Sequence, residues 1–213
     1  QLTNYGAYLD AHSPTHHAEI VDPSSWSCAH GVGRWSENCG CVMDPARAGQ
    51  QAWRRDLRDA LNRLRDKLDS FYAEKAAEYG DPWSLRNEYI YDRLALEARG
   101  TPRKAGPLAK RAALGKSDAT LRALLELQRH RLMMFTSCGW FFDDPAGLET
   151  VQILRYAYRA IAIQRELGGP DLEPDFVTDL AAMRSADDDA PTGRAIYANK
   201  VATAKPAAIP PVF

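Results

Sequence analysis

The stretch Trp53-Arg54-Arg55-Asp56-Leu57-Arg58-Asp59-Ala60-Leu61-Asn62-Arg63-Leu64-Arg65-Asp66-Lys67-Leu68-Asp69-Ser70-Phe71 decides the fold. Its apolar residues Trp53, Leu57, Ala60, Leu61, Leu64, Leu68 and Phe71 recur at steps of three and four, which sets them on one stripe of an α-helix. Arg, Asp and Lys fill the positions between, and this charge run reads as a solvated face. Asp59 stands four residues before Arg63, the favourable order of charges along a helix. The pattern predicts one long helix running to about Tyr79.

Toward the C-terminus the helical signal continues. Asp81-Pro82 supplies an N-cap and a first-turn proline for a second helix through about Ala98, which Gly100-Thr101-Pro102 stops. Residues 101–116 are basic, contain Gly106, Pro107 and Gly115, and read as a mobile connection. A third helix begins after Ser117-Asp118, with Leu121, Leu124, Leu125, Gln128, Leu132 and Phe135 on one face, and ends at Cys138-Gly139. Asp144-Pro145 caps a fourth, with Leu148, Val151, Leu154, Tyr158, Ile161 and Ala162 inward, and Gly168-Gly169-Pro170 terminates it. A shorter helix is expected around Pro174 to Met183, before an acidic loop from Ser185 to Thr192. No internal repeat is present. The fold class is all-α, a bundle of four or five helices across residues 46–213.

Toward the N-terminus the character changes. Leu2, Tyr5 and Leu9 lie at helical spacing, so a short helix is expected between Gln1 and His12, and Ala18 to Val21 reads as a short strand. The chain then enters Ser25-Trp26-Ser27-Cys28-Ala29-His30-Gly31-Val32-Gly33-Arg34-Trp35-Ser36-Glu37-Asn38-Cys39-Gly40-Cys41, which has neither a period of two nor one of 3.6. Residues 1–45 therefore form an irregular Trp/Cys/Gly-rich lobe on a single helical domain covering 1–213.

Composition sets further bounds. An apolar content of 45% is enough for a sizeable core. A net charge of -1 gives no reason to expect nucleic acid or an anionic membrane as partner. No apolar run is long enough to span a bilayer. The four cysteines are few for a disulfide-stapled domain of this size, and reduced thiols in a cytoplasmic protein are the expectation. A start at Gln1 and an end in Ile209-Pro210-Pro211-Val212-Phe213 read like cuts inside a longer, multidomain sequence.

Two segments carry candidate chemistry. In the lobe, Cys28, His30, Cys39 and Cys41 gather three thiols and one imidazole within fourteen positions. Such soft ligands suit tetrahedral zinc, although Cys-x-His and Cys-x-Cys are tighter than the usual two to four intervening residues. No cofactor is the leading expectation, with thiols buried as small apolar groups and zinc as the alternative. A disulfide from Cys28 or Cys41 to Cys39 or Cys138 would require an exported parent. The lobe also offers flat aromatics, Trp26 and Trp35, among polar groups on a glycine-rich loop, the features a sugar ring needs.

The second segment, Thr136-Ser137-Cys138-Gly139-Trp140-Phe141-Phe142-Asp143-Asp144, joins two predicted helices and offers an aromatic lip with two carboxylates. Asp144 before Pro145 reads as an N-cap, and adjacent carboxylates are poorly placed to flank a glycosidic bond. His130 reads as surface or as a satisfied interior group. A cysteine enzyme using Cys28 or Cys138 with His30 as base would need thiol and imidazole within hydrogen-bond reach. No phosphate loop, recognisable Ser-His-Asp set or HExxH motif occurs.

The run Ser25 to Cys41, together with Glu126-Leu127-Gln128-Arg129-His130, Thr136 to Asp144 and Glu149-Thr150-Val151-Gln152-Ile153-Leu154-Arg155-Tyr156, resembles an uncharacterised helical domain of bacteria and archaea. That domain follows the catalytic barrel in glycoside hydrolase family 57-like proteins. Leu2-Thr3-Asn4-Tyr5-Gly6 and Gly193-Arg194-Ala195-Ile196-Tyr197 are similar to the same family, so the likeness spans nearly the whole chain. It implies a non-catalytic piece whose partners are the N-terminal barrel of the same polypeptide and a carbohydrate, an α-glucan. The whole protein would be a glycoside hydrolase or glucanotransferase, with both catalytic carboxylates on the barrel. Ser137-Cys138-Gly139-Trp140 is similar to a cleft-lining Ser-Asp-Trp stretch, with Cys-Gly in place of the acid. The expected substrate-binding residues are Trp140 and Trp35, presenting indole faces to the cleft, with His30, Arg34, Glu37 and Asp143 contacting hydroxyls. The Trp/Cys loop is expected to pack against the helix end at Trp140.

Overall fold

The computed structural model describes residues 2–97, 104–115, 118–184 and 191–203, and all regular structure among them is helical. Five helices of eight residues or more build the bundle: α2 (Trp53–Ala76), α3 (Pro82–Glu97), α5 (Ala119–Met133), α7 (Leu148–Glu166) and α8 (Glu173–Leu180). Short helices α1 (Tyr5–Ala11), α4 (Pro107–Ala112), α6 (Cys138–Phe141) and α9 (Gly193–Tyr197) punctuate it. No helix among the described residues is long and apolar enough to cross a membrane.

The apolar stripe on α2 is the spine of the core. Trp53, Leu57, Ala60, Leu61, Leu64, Leu68, Tyr72 and Ala76 are all buried, and they meet α5, α7 and α8. Helix α5 is buried on two sides: Leu124 and Leu127 join the main core, whereas Leu121 and Leu125 pack on Tyr89 of α3. Burying these side chains supplies the main driving force, roughly 1.5–3 kcal/mol for each large one. Gly139 lets α6 sit directly on α7, since a Cβ there would fall 2.4 Å from the Ile153 side chain. Thr150 Oγ1 closes the same contact by donating to the Gly139 carbonyl at 2.8 Å.

The element ends correct several expectations. Residues 18–21 form no strand: Ile20 and Val21 are exposed, and no described segment offers a ladder partner. The basic segment is not a bare connection, because Gly106-Pro107 starts α4. The Asp92 carboxylate accepts from the N–H groups of Leu108 at 2.9 Å and Ala109 at 3.0 Å and so satisfies the first turn. Residues 98–103, 116, 117 and 185–190, which carry the expected end of the second helix, its stop and most of the acidic loop, lie outside the described residues. Helix α5 ends at Met133, not at Cys138, where the Thr136 hydroxyl donates back to the Met133 carbonyl at 2.6 Å. Burial near that end falls on His130 and Met134, and Leu132 is half exposed. Helix α7 begins at Leu148 with Gly147 as N-cap, so Leu148 points outward and Asp144 instead caps a turn by accepting from Ala146 N–H at 2.8 Å.

Candidate metal centre on the N-terminal lobe

Residues 25–41 form an irregular loop holding one short 3-10 turn, Gly33–Trp35. It folds so that Cys28, His30, Cys39 and Cys41 converge, with all four ligand atoms within 4.8 Å of one another. Cys28 Sγ lies 3.7 Å from both Cys39 Sγ and Cys41 Sγ, and Cys41 Sγ lies 3.5 Å from His30 Nδ1. All four cysteines are free thiols. The group is able to hold a metal ion.

The tight spacing is met by backbone freedom at two positions. Gly31 after His30 has φ 68°, and Gly40 between Cys39 and Cys41 has φ 79°, a left-handed conformation that glycine adopts at little cost. Gly33 lets the two halves of the loop close, because a Cβ there would sit 3.1 Å from Cys39 Cβ. Burial pushes the Cys28 thiol up. Hydrogen bonds with the backbone of Arg34 and His30 and with the Cys41 and Cys39 thiols more than offset this, and its pKa is lowered to about 6. Cys39 goes the other way: burial, with Cys28 and Cys41 alongside, raises it to about 11.

The lobe is fastened to the bundle by residues distant in sequence. Trp35 Nε1 donates to the Ser137 carbonyl at 2.8 Å, and Arg34 Nη1 donates to the Phe141 carbonyl at 2.8 Å. The Arg34 guanidinium also lies over the Phe141 ring at 4.9 Å. The expected packing of the Trp/Cys loop against the α6 region is therefore present. Beneath it, Arg54 of α2 donates to the Cys41 carbonyl at 2.6 Å and pairs with Asp143 Oδ1 at 3.1 Å. Asp143 Oδ2 accepts from the N–H groups of Met43 at 2.7 Å and Asp44 at 2.8 Å.

This arrangement corrects part of the expected sugar contact set. Trp140 is fully buried at 0% exposure, stacked on Phe135, with Nε1 donating to the Arg54 carbonyl at 3.1 Å. The Arg58 guanidinium covers its ring at 4.3 Å, so no indole face is presented. Arg34 and Asp143 are buried and occupied by the contacts above, and neither is free to meet hydroxyls. Trp35 is half-buried, whereas His30 and Glu37 are exposed. His30 turns its Nδ1 to Cys41, and among the described residues no contact of this kind joins it to Cys28 or Cys138, the two expected nucleophiles.

One participant, Arg54, escapes the sequence reading. Arg54 was hidden in a charge run taken as solvated, yet it is 0% exposed. The available signal was its place three residues before Leu57 and seven before Leu61, on the edge of the apolar stripe. Trp26 is the loop aromatic that the fold leaves open: it is 91% exposed and rests on Phe141 with ring centroids 5.7 Å apart.

Fold and site together define a helical module carrying a Cys/His metal-ligand lobe. Residues 50–208 match the family model described as domain of unknown function (DUF3536), and the chain belongs to that family. The Cys/His loop lies on the N-terminal side of the matched span. No curated protein and no solved structure matches the chain.

Proposed function

We infer that this chain is a non-catalytic helical module of a glycoside hydrolase family 57-like protein, and that its lobe contributes an aromatic surface to an α-glucan-binding cleft completed by a catalytic barrel. The observation that carries this reading is Trp26. A large indole held 91% exposed on a loop and backed by Phe141 offers the open flat face on which a sugar ring can stack. The half-buried Trp35 and exposed Glu37 belong to the same loop and extend the surface. The surface that serves the sugar is thus the outer side of the lobe, and the α6 residues support it from beneath. Asp143 does not offer a free carboxylate for catalysis, because its charge is committed to Arg54 and to two backbone N–H groups. Titration of the chain with a maltooligosaccharide at millimolar concentration should give weak, saturable quenching of tryptophan fluorescence that Trp26→Ala abolishes. No saturable change, or one that survives Trp26→Ala, removes the reading.

A second reading, a structural module built on a Cys/His metal site, is favoured by the convergence of Cys28, His30, Cys39 and Cys41. The two are compatible, since the metal-ligand loop is the one from which Trp26 projects.

A further inference from the structure

We propose that Cys28, Cys39, Cys41 and His30, through its Nδ1, bind one structural Zn2+ ion. The proposal rests on the metal-module reading and names its ion, ligand atoms and purpose. Three independent observations carry it.

The first is geometric. With Zn–S near 2.3 Å and Zn–N near 2.0 Å, the edges of a tetrahedral site are about 3.8 Å between sulfurs and about 3.5 Å from sulfur to nitrogen. Three of the six separations here are 3.7 Å for Cys28–Cys39, 3.7 Å for Cys28–Cys41 and 3.5 Å for Cys41–His30, and the other three lie within 4.8 Å. Thiols in ordinary contact need not share a common centre, and a disulfide would bring sulfurs to about 2.05 Å. Four protein ligands fill a tetrahedron and leave no position for water or substrate, the mark of a structural site.

The second is the local chain. Use of Nδ1, the ring nitrogen nearer the backbone, lets a Cys-x-His pair reach one centre without a longer spacer. The left-handed glycines Gly31 and Gly40 turn the chain at each ligand pair. Arg54 of α2 also donates to the Cys41 carbonyl at 2.6 Å and holds the backbone of that ligand in place. Such partners orient metal ligands.

The third is charge. Arg34 is 3% exposed, yet it forms no ion pair with a carboxylate among the described residues, and its Nε has no hydrogen-bond partner. Arg54 is also buried and repelled by Arg34, and among the described residues Asp143 is the one carboxylate paired with it. A buried cation without a counter-charge is expensive. Three thiolates on Zn2+ carry one net negative charge. Added to two arginines and one aspartate, that charge makes the buried cluster neutral. The ion therefore does more than close the loop: it supplies the counter-charge that Arg34 lacks, and through the Cys41 carbonyl on Arg54 it locks the lobe to α2. Among metals that accept tetrahedral thiolates, an imidazole in the set favours zinc over an iron–sulfur centre.

Elemental analysis of the purified chain should find one zinc per molecule. A thiol reagent should reach the exposed Cys138 at once and three more thiols only after a strong chelator is added. Cys39→Ser and Cys41→Ser should lose the metal, and Cys138→Ser should keep it. Cobalt(II) in place of zinc should show the visible bands of a tetrahedral thiolate site. If the chain holds no metal, even after refolding with zinc, the proposal and the reading beneath it both fall. If it holds iron, or keeps zinc in both Cys39→Ser and Cys41→Ser, a metal module survives but this assignment is overturned. Where a serine variant fails to fold, the wild-type protein decides: four thiols reacting at once before chelation overturn the proposal.

Discussion

The Trp35 indole N–H meets the Ser137 carbonyl at 2.8 Å across 102 positions of sequence, tying the irregular lobe to the turn that precedes α6. Arg58 Nε donates to the Trp35 carbonyl at 2.6 Å, so the same residue is also held from α2. Trp35→Phe keeps an aromatic ring but removes the donor. It should destabilise the protein by about 0.5–1.5 kcal/mol, the net worth of one hydrogen bond. Urea unfolding followed by circular dichroism reads this directly, and the native helical signal should match wild type. A variant as stable as wild type would show that the indole N–H contributes nothing to docking.

Asp143 is a structural group and should behave as one. Its partner Arg54 is wholly buried, and removing the carboxylate strands that cation. Asp143→Ala should therefore cost about 3–5 kcal/mol, the usual penalty for breaking a buried pair from one side. Asp144→Ala removes only the acceptor of a surface turn and should cost clearly less. Chemical denaturation of the two variants side by side provides the check. Equal losses would mean that the Arg54 pair has no special weight.

The helices were legible and the lobe was not, for a physical reason. Helices α2 and α7 announce themselves because burial repeats at the helical period, and Trp53, Leu57 and Leu61 or Val151, Leu154 and Ile161 each report the same face. The cluster of Cys28, His30, Cys39 and Cys41 could be named as a ligand set from residue types alone. Its convergence depends on two left-handed glycines and on which imidazole nitrogen faces inward, and neither has a periodic signature. Trp140 was misread because an aromatic after a helix end suits a cleft lip as well as a core plug. Only the overlying Arg58 and the stacked Phe135 distinguish the two roles.

His130 sits buried on α5 beside Glu126, Arg129, Tyr156 and Arg159, and burial lowers its pKa to about 4. Its Nδ1 has no hydrogen-bond partner. The folded state thus holds it neutral where the unfolded chain would protonate it at the ordinary value of 6.5. Its contribution to stability is complete above pH 6.5 and declines as pH falls toward 4, by up to about 3 kcal/mol. Denaturation midpoints measured across that window should fall for wild type and stay flatter for His130→Gln. Parallel curves would place the pH sensitivity in the carboxylate pairs instead.

Trp140 and Trp26 should separate cleanly, because the structure gives them opposite environments. Trp140 is fully enclosed by Phe135, Arg58 and the Arg54 carbonyl, so truncating it opens a cavity under the lobe. Trp140→Ala should cost about 3–5 kcal/mol, as large aromatic deletions from cores do. Any loss of sugar binding in that variant would follow from a loosened lobe. Trp26 lies 91% in solvent beside Phe141, and Trp26→Ala should change stability by about 0.5 kcal/mol or less. Melting curves of both variants, taken with the oligosaccharide titration, distinguish support from contact. A binding residue lowers affinity at unchanged stability, and a core residue does the reverse in order of cause. If Trp140→Ala melts like wild type, the enclosure described here does not hold the lobe. If Trp26→Ala unfolds the protein, its exposed face is a structural contact and the sugar surface loses its anchor.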